Sequence, residues 1–249
     1  TGLVDMRKRA AMSEAFRILN QGDAPILIVS DHASNHVPDD IDLGIEPMLL
    51  DQHIAFDIGA AQVSAMLAER LGCTAILGGI SRLVIDLNRE EDAPGLLVTA
   101  SDGNAVPGNR SASVEARLNR FHRPYHREIE RLLTDLDRPF ILSVHSFTPR
   151  LATDPAHQRP WEIGVLYNED DQAARIAIPL LESAGLIVGD QLPYSGRQLN
   201  YTMNRHAEAN GIPYLGLELR QDIAGRTEGQ ARYANILAPI VAQCRALLA

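Results

Sequence analysis

Lysine is almost missing from this chain of 249 residues: of its 23 cationic side chains only Lys8 is a lysine, and the rest are arginine. Schiff-base chemistry, pyridoxal phosphate and the P-loop each need a placed lysine. Lys8 lies in a charged N-terminal stretch, so those classes are set aside. Cysteine is nearly as scarce, with Cys73 and Cys244 far apart and outside any metal-type or redox spacing. Their placement argues against a disulfide scaffold and thiolate zinc and leaves two buried free thiols. No apolar run reaches the roughly 18 residues of a spanning helix, and the opening TGLVDMRKRAAMSEAF lacks the apolar core of a signal peptide. The protein is therefore expected to be soluble and cytoplasmic, with no membrane partner. An excess of positive charge is absent too. A net charge of −9 removes the basic footprint that nucleic acid requires, and small molecules are the expected partners. No G-x-S-x-G occurs, and Ser143 and Ser146 flank a histidine outside the strand-turn-helix context of a nucleophile elbow. Serine hydrolase chemistry is thus the weaker enzymatic reading.

What is present is a succession of short apolar runs alternating with helical patterns. The hydrophobic fraction, 45%, supports one α/β domain over residues 1–249, since no linker, repeat or low-complexity tract divides the chain. Residues Leu3–Asn20 carry a rough helical stripe, so 1–24 is read as an N-terminal packing helix. Strands are expected at Ile26–Ser30, Thr74–Leu77, Leu83–Leu87, Phe140–Val144, Glu162–Tyr167, Leu186–Val188 and Tyr214–Leu219. Helices are expected at Ala60–Leu71, Leu118–Leu136 with Pro124 as a kink or restart, Asp171–Ala184, Thr202–Asn210 and Glu228–Leu248. Strands alternating with helices indicate a mostly parallel sheet covered on both faces.

The polar residues that end these strands carry the chemistry. PILIVSDHASNH, Pro25–His36, is a buried-type strand that delivers Asp31, His32 and His36 to the carboxyl edge of the sheet, where open α/β folds bind ligands. PFILSVH delivers His145 in the same way. YLGLELR carries Glu218 inside an apolar strand, costly to bury without a partner or a task; a salt bridge to Arg220 is its structural reading. His53 and Asp57 are four apart, a spacing that supplies two metal ligands on one helix face or else a capping Asp and a solvated His. Asn88-Arg89 after Leu83–Leu87 fits either an anion-binding pair or a salt-bridged turn. His122 and His126 are four apart, but Pro124 between them disturbs helical facing, and they read as structural or as supports behind a site. Catalytic zinc takes three His, Asp or Glu ligands and leaves a position for water. His32 and His145 supply two ligands, with Asp57, His53 or His36 as the third. Glu218 is then the candidate general base.

Taken together, VSDHASNHVP, DQHIAFDIGA, RLVIDLNRE, LSVHSFTP and GLELRQD resemble the N-formylglutamate amidohydrolase family over about residues 25–225. That family is similar in fold to the zinc carboxypeptidases and aspartoacylases, and the resemblance implies a three-layer α/β/α domain. It implies a Zn²⁺-dependent hydrolase of N-acyl amino acids such as N-formyl-L-glutamate, with Glu218 as base and Asn88, Arg89 and Arg220 binding the substrate. Arg82 is a weaker candidate for the carboxylate. Where carboxypeptidases carry His-x-x-Glu, this chain has His32 followed by Asn35, so Asp57 is taken as the third ligand beside His32 and His145. A relative acting on another N-acyl amino acid, or a non-catalytic carboxylate- or metal-binding module, would use many of the same residues.

Overall fold

Four parallel strands form the middle of a seven-stranded sheet in the computed structural model, which describes residues 13–249. In chain order the strands are β1 (Phe16–Asn20), β2 (Ile26–Ser30), β3 (Thr74–Gly78), the two-residue β4 (Ala100–Ser101) and β5 (Asn104–Ala105), β6 (Phe140–Phe147), β7 (Ile163–Leu166), β8 (Val188–Asp190) and β9 (Tyr214–Arg220). The large sheet runs β1-β3-β2-β6-β9-β7-β8, and β4 and β5 form a separate hairpin. β3, β2, β6 and β9 are parallel neighbours; β1 pairs antiparallel with β3 at one edge, and β7 pairs antiparallel with β9 toward the other. β2 and β6 are buried at every position, as strands covered on both faces must be.

The helices are α1 (Ala60–Leu71), α2 (Val114–Arg117), α3 (Arg123–Thr134), α4 (Gln172–Ser183), α5 (Tyr201–His206), α6 (Gln221–Ala224) and α7 (Thr227–Leu248). α7 packs on α1 and α4, and α3 packs on α5. The fold is thus a mixed three-layer α/β/α arrangement, as the strand-helix alternation predicts. One α1 boundary matters for the site. Gly59 sits at φ 85°, and a Cβ there would lie 2.1 Å from the carbonyl oxygen of Ala224. Only glycine permits that turn and that approach, which let α1 begin directly after Asp57.

Two expected elements differ in kind, and β8 lies two residues later than the strand expected at Leu186–Val188. Of the N-terminal helix, residues 1–12 lie outside the described residues, while Phe16–Asn20 is a strand: its backbone completes the edge of β3 in register from Phe16↔Gly78 to Asn20↔Thr74, a tertiary pairing that overrides local pattern. Leu83–Leu87 forms no strand although Leu83, Val84 and Ile85 are fully buried. Side chains satisfy its backbone instead of a neighbouring strand: the Asn109 amide donates to Leu83 O at 2.8 Å and the Arg117 guanidinium to Val84 O at 2.5 Å. Pro124 does restart a helix. A π-helical turn over Leu118–His122 precedes α3 and absorbs the missing proline N–H.

Candidate active site

The parallel order of β2, β6 and β9 brings their carboxyl ends to one edge, where a cavity of about 320 Å³ opens. His32 follows β2, His145 is the sixth residue of β6, and Glu218 lies beside His145 in register on β9. Asp57 comes from the turn before α1, fixed by its own N–H donating to His32 O at 2.8 Å. His32, Asp57 and His145 are all buried and offer one donor atom each within 4.8 Å of one another. Asp57 Oδ2 lies 3.5 Å from His32 Nδ1 and 2.8 Å from His145 Nδ1. Donors on a tetrahedral zinc ion with bonds of about 2.0–2.1 Å are roughly 3.3 Å apart, so this spacing suits such an ion.

Each histidine is backed by a second carboxylate. His32 Nε2 lies 2.7 Å from Asp86 Oδ1 and His145 Nε2 lies 3.2 Å from Asp31 Oδ2. Carboxylates placed behind the far ring nitrogen orient metal-binding imidazoles and raise their basicity. Asp31 is itself held by the Tyr125 hydroxyl at 2.9 Å and the Thr202 hydroxyl at 3.0 Å. His32 Nδ1 is buried without a hydrogen-bond partner, and the His145 Nε2–Asp31 Oδ2 contact is an ionic proximity rather than a formed hydrogen bond.

The charges point the same way. Burial opposes ionisation of Asp31, Asp57 and Asp86, yet the neighbouring cations win and hold all three below the usual carboxylate range. Burial likewise opposes protonation of His145, and its contacts with Asp31 and Asp57 still raise it well above an ordinary histidine. Of the three carboxylates, Asp57 and Asp86 face Arg82 and Asp86 also lies 3.8 Å from Arg89, while Asp31 meets no guanidinium, so the cluster keeps negative charge beside the two imidazoles when they are neutral, which favours a cation there.

Glu218 is buried and its Oε2 has no partner. Burial lifts its carboxyl to about 7, against the opposing pull of His145. Close packing leaves it little freedom: a Cβ on Gly164, its partner on β7, would come within 3.3 Å of the Glu218 Cβ. The alternative reading of Glu218, a salt bridge to Arg220, does not form, for Arg220 turns away to Asp222 at 2.8 Å and to Pro160 O at 3.1 Å. Arg220, expected as a substrate-binding residue, does not line the cavity: strand alternation gives it the face of Glu218, but it is the last residue of β9 and is held by those contacts outside the cavity.

Asn88 and Arg89 do line it. Asn88 Oδ1 accepts from Thr202 N at 2.9 Å, which directs its amide nitrogen elsewhere. Arg89 makes one long ionic contact, 3.8 Å from Asp86 Oδ2, and is partly exposed. Arg82, read from the sequence as the lesser candidate, enters the same wall because Leu83–Leu87 is a coil rather than a strand with opposite ends; its guanidinium is 3.0 Å from Asp86 Oδ2 and 3.5 Å from Asp57 Oδ1. His53 is not a neighbour of Asp57, since residues 52–58 are turns and bends and no helix face exists there. It faces Asp102 across the cavity mouth at 3.0 Å. His36 is exposed and outside the cavity. The sequence reading placed Asp31 at the ligand edge without a role and gave none to Asp86, although both stand at strand-end turns beside His32 and Arg82. It also missed Tyr194, a half-buried wall residue whose hydroxyl accepts from Arg159 at 2.9 Å. No local pattern marks Tyr194.

Comparison with known proteins bears on the family and the fold. A family model described as N-formylglutamate amidohydrolase matches residues 24–224. No curated protein matches the sequence. Among solved structures, the Atu2144 gene product of Agrobacterium tumefaciens superposes with a TM-score of 0.89 at 26% identity, covering 94% of this chain and 96% of that one. An N-formylglutamate amidohydrolase from Ralstonia eutropha JMP134 gives 0.70 at 20% identity, covering 95% and 98%. A bacteriophage poly-gamma-glutamate hydrolase gives 0.50 at 13%, covering 95% and 93%. The last two are likenesses of fold.

Proposed function

The chain belongs to the N-formylglutamate amidohydrolase family, and from that premise we propose that it hydrolyses the N-acyl amide of an acidic amino acid, N-formyl-L-glutamate being the model substrate, with a divalent metal held by His32, Asp57 and His145. The carrying observation is one cavity that holds a two-nitrogen, one-oxygen donor set, an unpartnered carboxyl at Glu218 and a free arginine fork at Arg89. This donor set suits zinc among the divalent metals, with manganese, iron and cobalt as the alternatives. When bound, such an ion supplies polarisation of the scissile carbonyl and acidification of a water to a pKa of about 7.

The chain's own residues do the rest. Glu218, lifted to about 7, is matched to accept a proton near neutral pH. It takes that proton from the attacking water as the hydroxyl adds to the acyl carbon. It then gives the proton to the amide nitrogen as the C–N bond breaks, so that formate and the free amino acid leave. Arg89 and the Asn88 amide nitrogen receive the substrate α-carboxylate, a planar anion suited to the guanidinium fork. Asp86 and Asp31 keep the two imidazoles aimed, and Arg82 offsets Asp57 and Asp86. In a chain of net charge −9 the overall field repels an anionic substrate, which puts recognition on these local arginines.

The test is amine release by metal-loaded protein from N-formyl and N-acetyl derivatives of glutamate, aspartate and neutral amino acids, with and without a chelator. Chelator-sensitive turnover highest on the acidic N-formyl compound is expected. Turnover confined to neutral substrates moves the assignment to another N-acyl amino acid, and binding without turnover on the whole panel overturns the enzymatic reading.

A further inference from the structure

Behind the Asn88-Arg89 segment lies a group of side chains that the chemistry above leaves unused. His122, His126 and His206 are almost fully buried. His126 Nδ1 is 2.8 Å from His206 Nε2, and the two rings stack with centroids 5.1 Å apart. His122 and His126 rings meet at 4.4 Å, closed in by Tyr201 at 5.7 and 5.2 Å. Pro124 between them does not keep these two histidines apart, because the π-helical turn before α3 resets their phase.

What the cluster touches gives it a direction. His126 Nε2 lies 2.9 Å from Leu87 O, and His122 Nε2 lies 2.8 Å from Arg89 O. A carbonyl only accepts, so both ring nitrogens carry the proton and both donate. The carbonyls on either side of Asn88 are therefore pinned by two imidazoles, while its side chain is pinned from α5 by Thr202 N at 2.9 Å. With Leu83–Leu87 free of any strand ladder, these contacts replace the sheet in fixing the segment. Three packed imidazoles are a costly way to fill a core that leucine would fill. Burial and mutual proximity also keep His126 and His206 below the ordinary histidine range, so the cluster stays neutral and its donors stay directed.

We propose that His122 and His126 are positioning residues for substrate-carboxylate recognition, holding the Leu87 and Arg89 carbonyls so that the Asn88 amide and the Arg89 fork face the cavity. The inference rests on the reading of Asn88 and Arg89 as the carboxylate site. Its signature is a substrate-dependent loss in KM, which a general packing defect does not produce.

The experiment compares wild type, His122→Leu, His122→Gln and Arg89→Ala on N-formyl-L-glutamate and on its α-carboxamide counterpart, which keeps the γ-carboxylate but offers the fork no α-carboxylate. Arg89→Ala must raise KM on the acid; an unchanged KM overturns the carboxylate assignment and this inference with it. Given that control, His122→Leu is expected to raise KM on the acid roughly 3- to 10-fold, with kcat within about twofold and the carboxamide unaffected. Glutamine keeps an N–H donor near the Nε2 position, so His122→Gln is expected to recover most of the loss. Equal losses on both substrates, a loss mainly in kcat, a glutamine variant no better than leucine, or no change in either variant would each overturn the positioning role while leaving the Arg89 assignment intact. Should His122→Leu fail to fold, His122→Met, which also lacks the N–H donor but fills a similar volume flexibly, takes its place against His122→Gln in the same acid-against-carboxamide comparison.

Discussion

His145 and Glu218 are register partners on adjacent parallel strands, and both line the same cavity. A candidate metal ligand and a candidate base are thereby held at a spacing set by the sheet ladder rather than by a loop, the kind of support that keeps catalytic geometry tight. Both strands are buried, so few motions separate the two groups.

Replacing the base isolates proton transfer. Glu218→Gln is nearly isosteric and leaves the donor set intact, so metal content is expected to stay stoichiometric while kcat falls about 10²- to 10⁴-fold. Steady-state rates paired with metal analysis measure both. A variant that keeps its metal and loses less than about threefold in kcat, well below that range, removes Glu218 from the role.

The same carboxyl sets a pH limb. In the metal-free protein it is raised to about 7 by burial, and a base must be ionised to act, so activity rises with pH as the proton leaves. A cation beside it favours the charged form, and the rising limb of kcat/KM is expected at or below pH 7. The residual activity of Glu218→Gln should lack that limb. An identical limb in the variant assigns it to another group.

Metal affinity tests the outer carboxylates. Asp86→Asn removes the charge behind His32 Nε2 without deleting a ligand, and a weakening of about 10- to 100-fold in metal affinity is expected, read by competition with a chelator of known affinity. His32→Ala and His145→Ala should lose stoichiometric binding. Full metal content in both alanine variants excludes the proposed donor set.

Arg89→Ala removes the fork. Loss of a charge-assisted pair costs about 1.5–3 kcal/mol, roughly 10- to 150-fold in KM for the acidic substrate, with a smaller loss in kcat if the carboxylate also orients the amide. Unchanged kinetics on every substrate cleaved by wild type would place the carboxylate elsewhere.

Asp102 gives a prediction away from the metal. It sits at φ 41°, which Asp and Asn both tolerate, and accepts from Ala152 N and Thr153 N at 2.9 Å and from the Thr153 hydroxyl at 2.7 Å, joining the β4-β5 hairpin to the loop after β6. Burial opposes its charge, but these donors prevail and lower it from 3.8 to about 2. A carboxyl depressed on folding stabilises above its unfolded value, and the contribution fades as pH falls through the folded one. Asp102→Asn should therefore melt below wild type at neutral pH, with the gap closing between about pH 4 and pH 2. A gap independent of pH would mean that the charge contributes nothing.

A good part of the fold and of the site is legible in the residue pattern. Apolar runs of β-branched residues ending in His32 and His145, and the lone acid inside YLGLELR, mark buried strands with chemistry at their ends, because burying a polar group costs too much to be casual. Five short motifs in order identified the family. Periodicity located α1, α4 and α7 within a few residues, since local amphipathic pattern is what those helices are built on.

Contacts between segments distant along the chain set the remainder. Leu83–Leu87 reads as a strand from composition, yet the partners of its carbonyls, Asn109 and Arg117, are distant in sequence, and their reach turns it into the coil that brings Arg82 into the site. Phe16–Asn20 became a strand because the edge of β3 was open to it. That Asp57 rather than His53 stands beside His32 and His145 follows from a turn pinned to His32 O and from Asp102 claiming His53. Asp86 behind His32, Asp31 behind His145 and the imidazoles behind Asn88 are all contacts between separate segments. A local pattern records what each segment prefers, whereas a site's electrostatics depend on which segments the fold sets side by side.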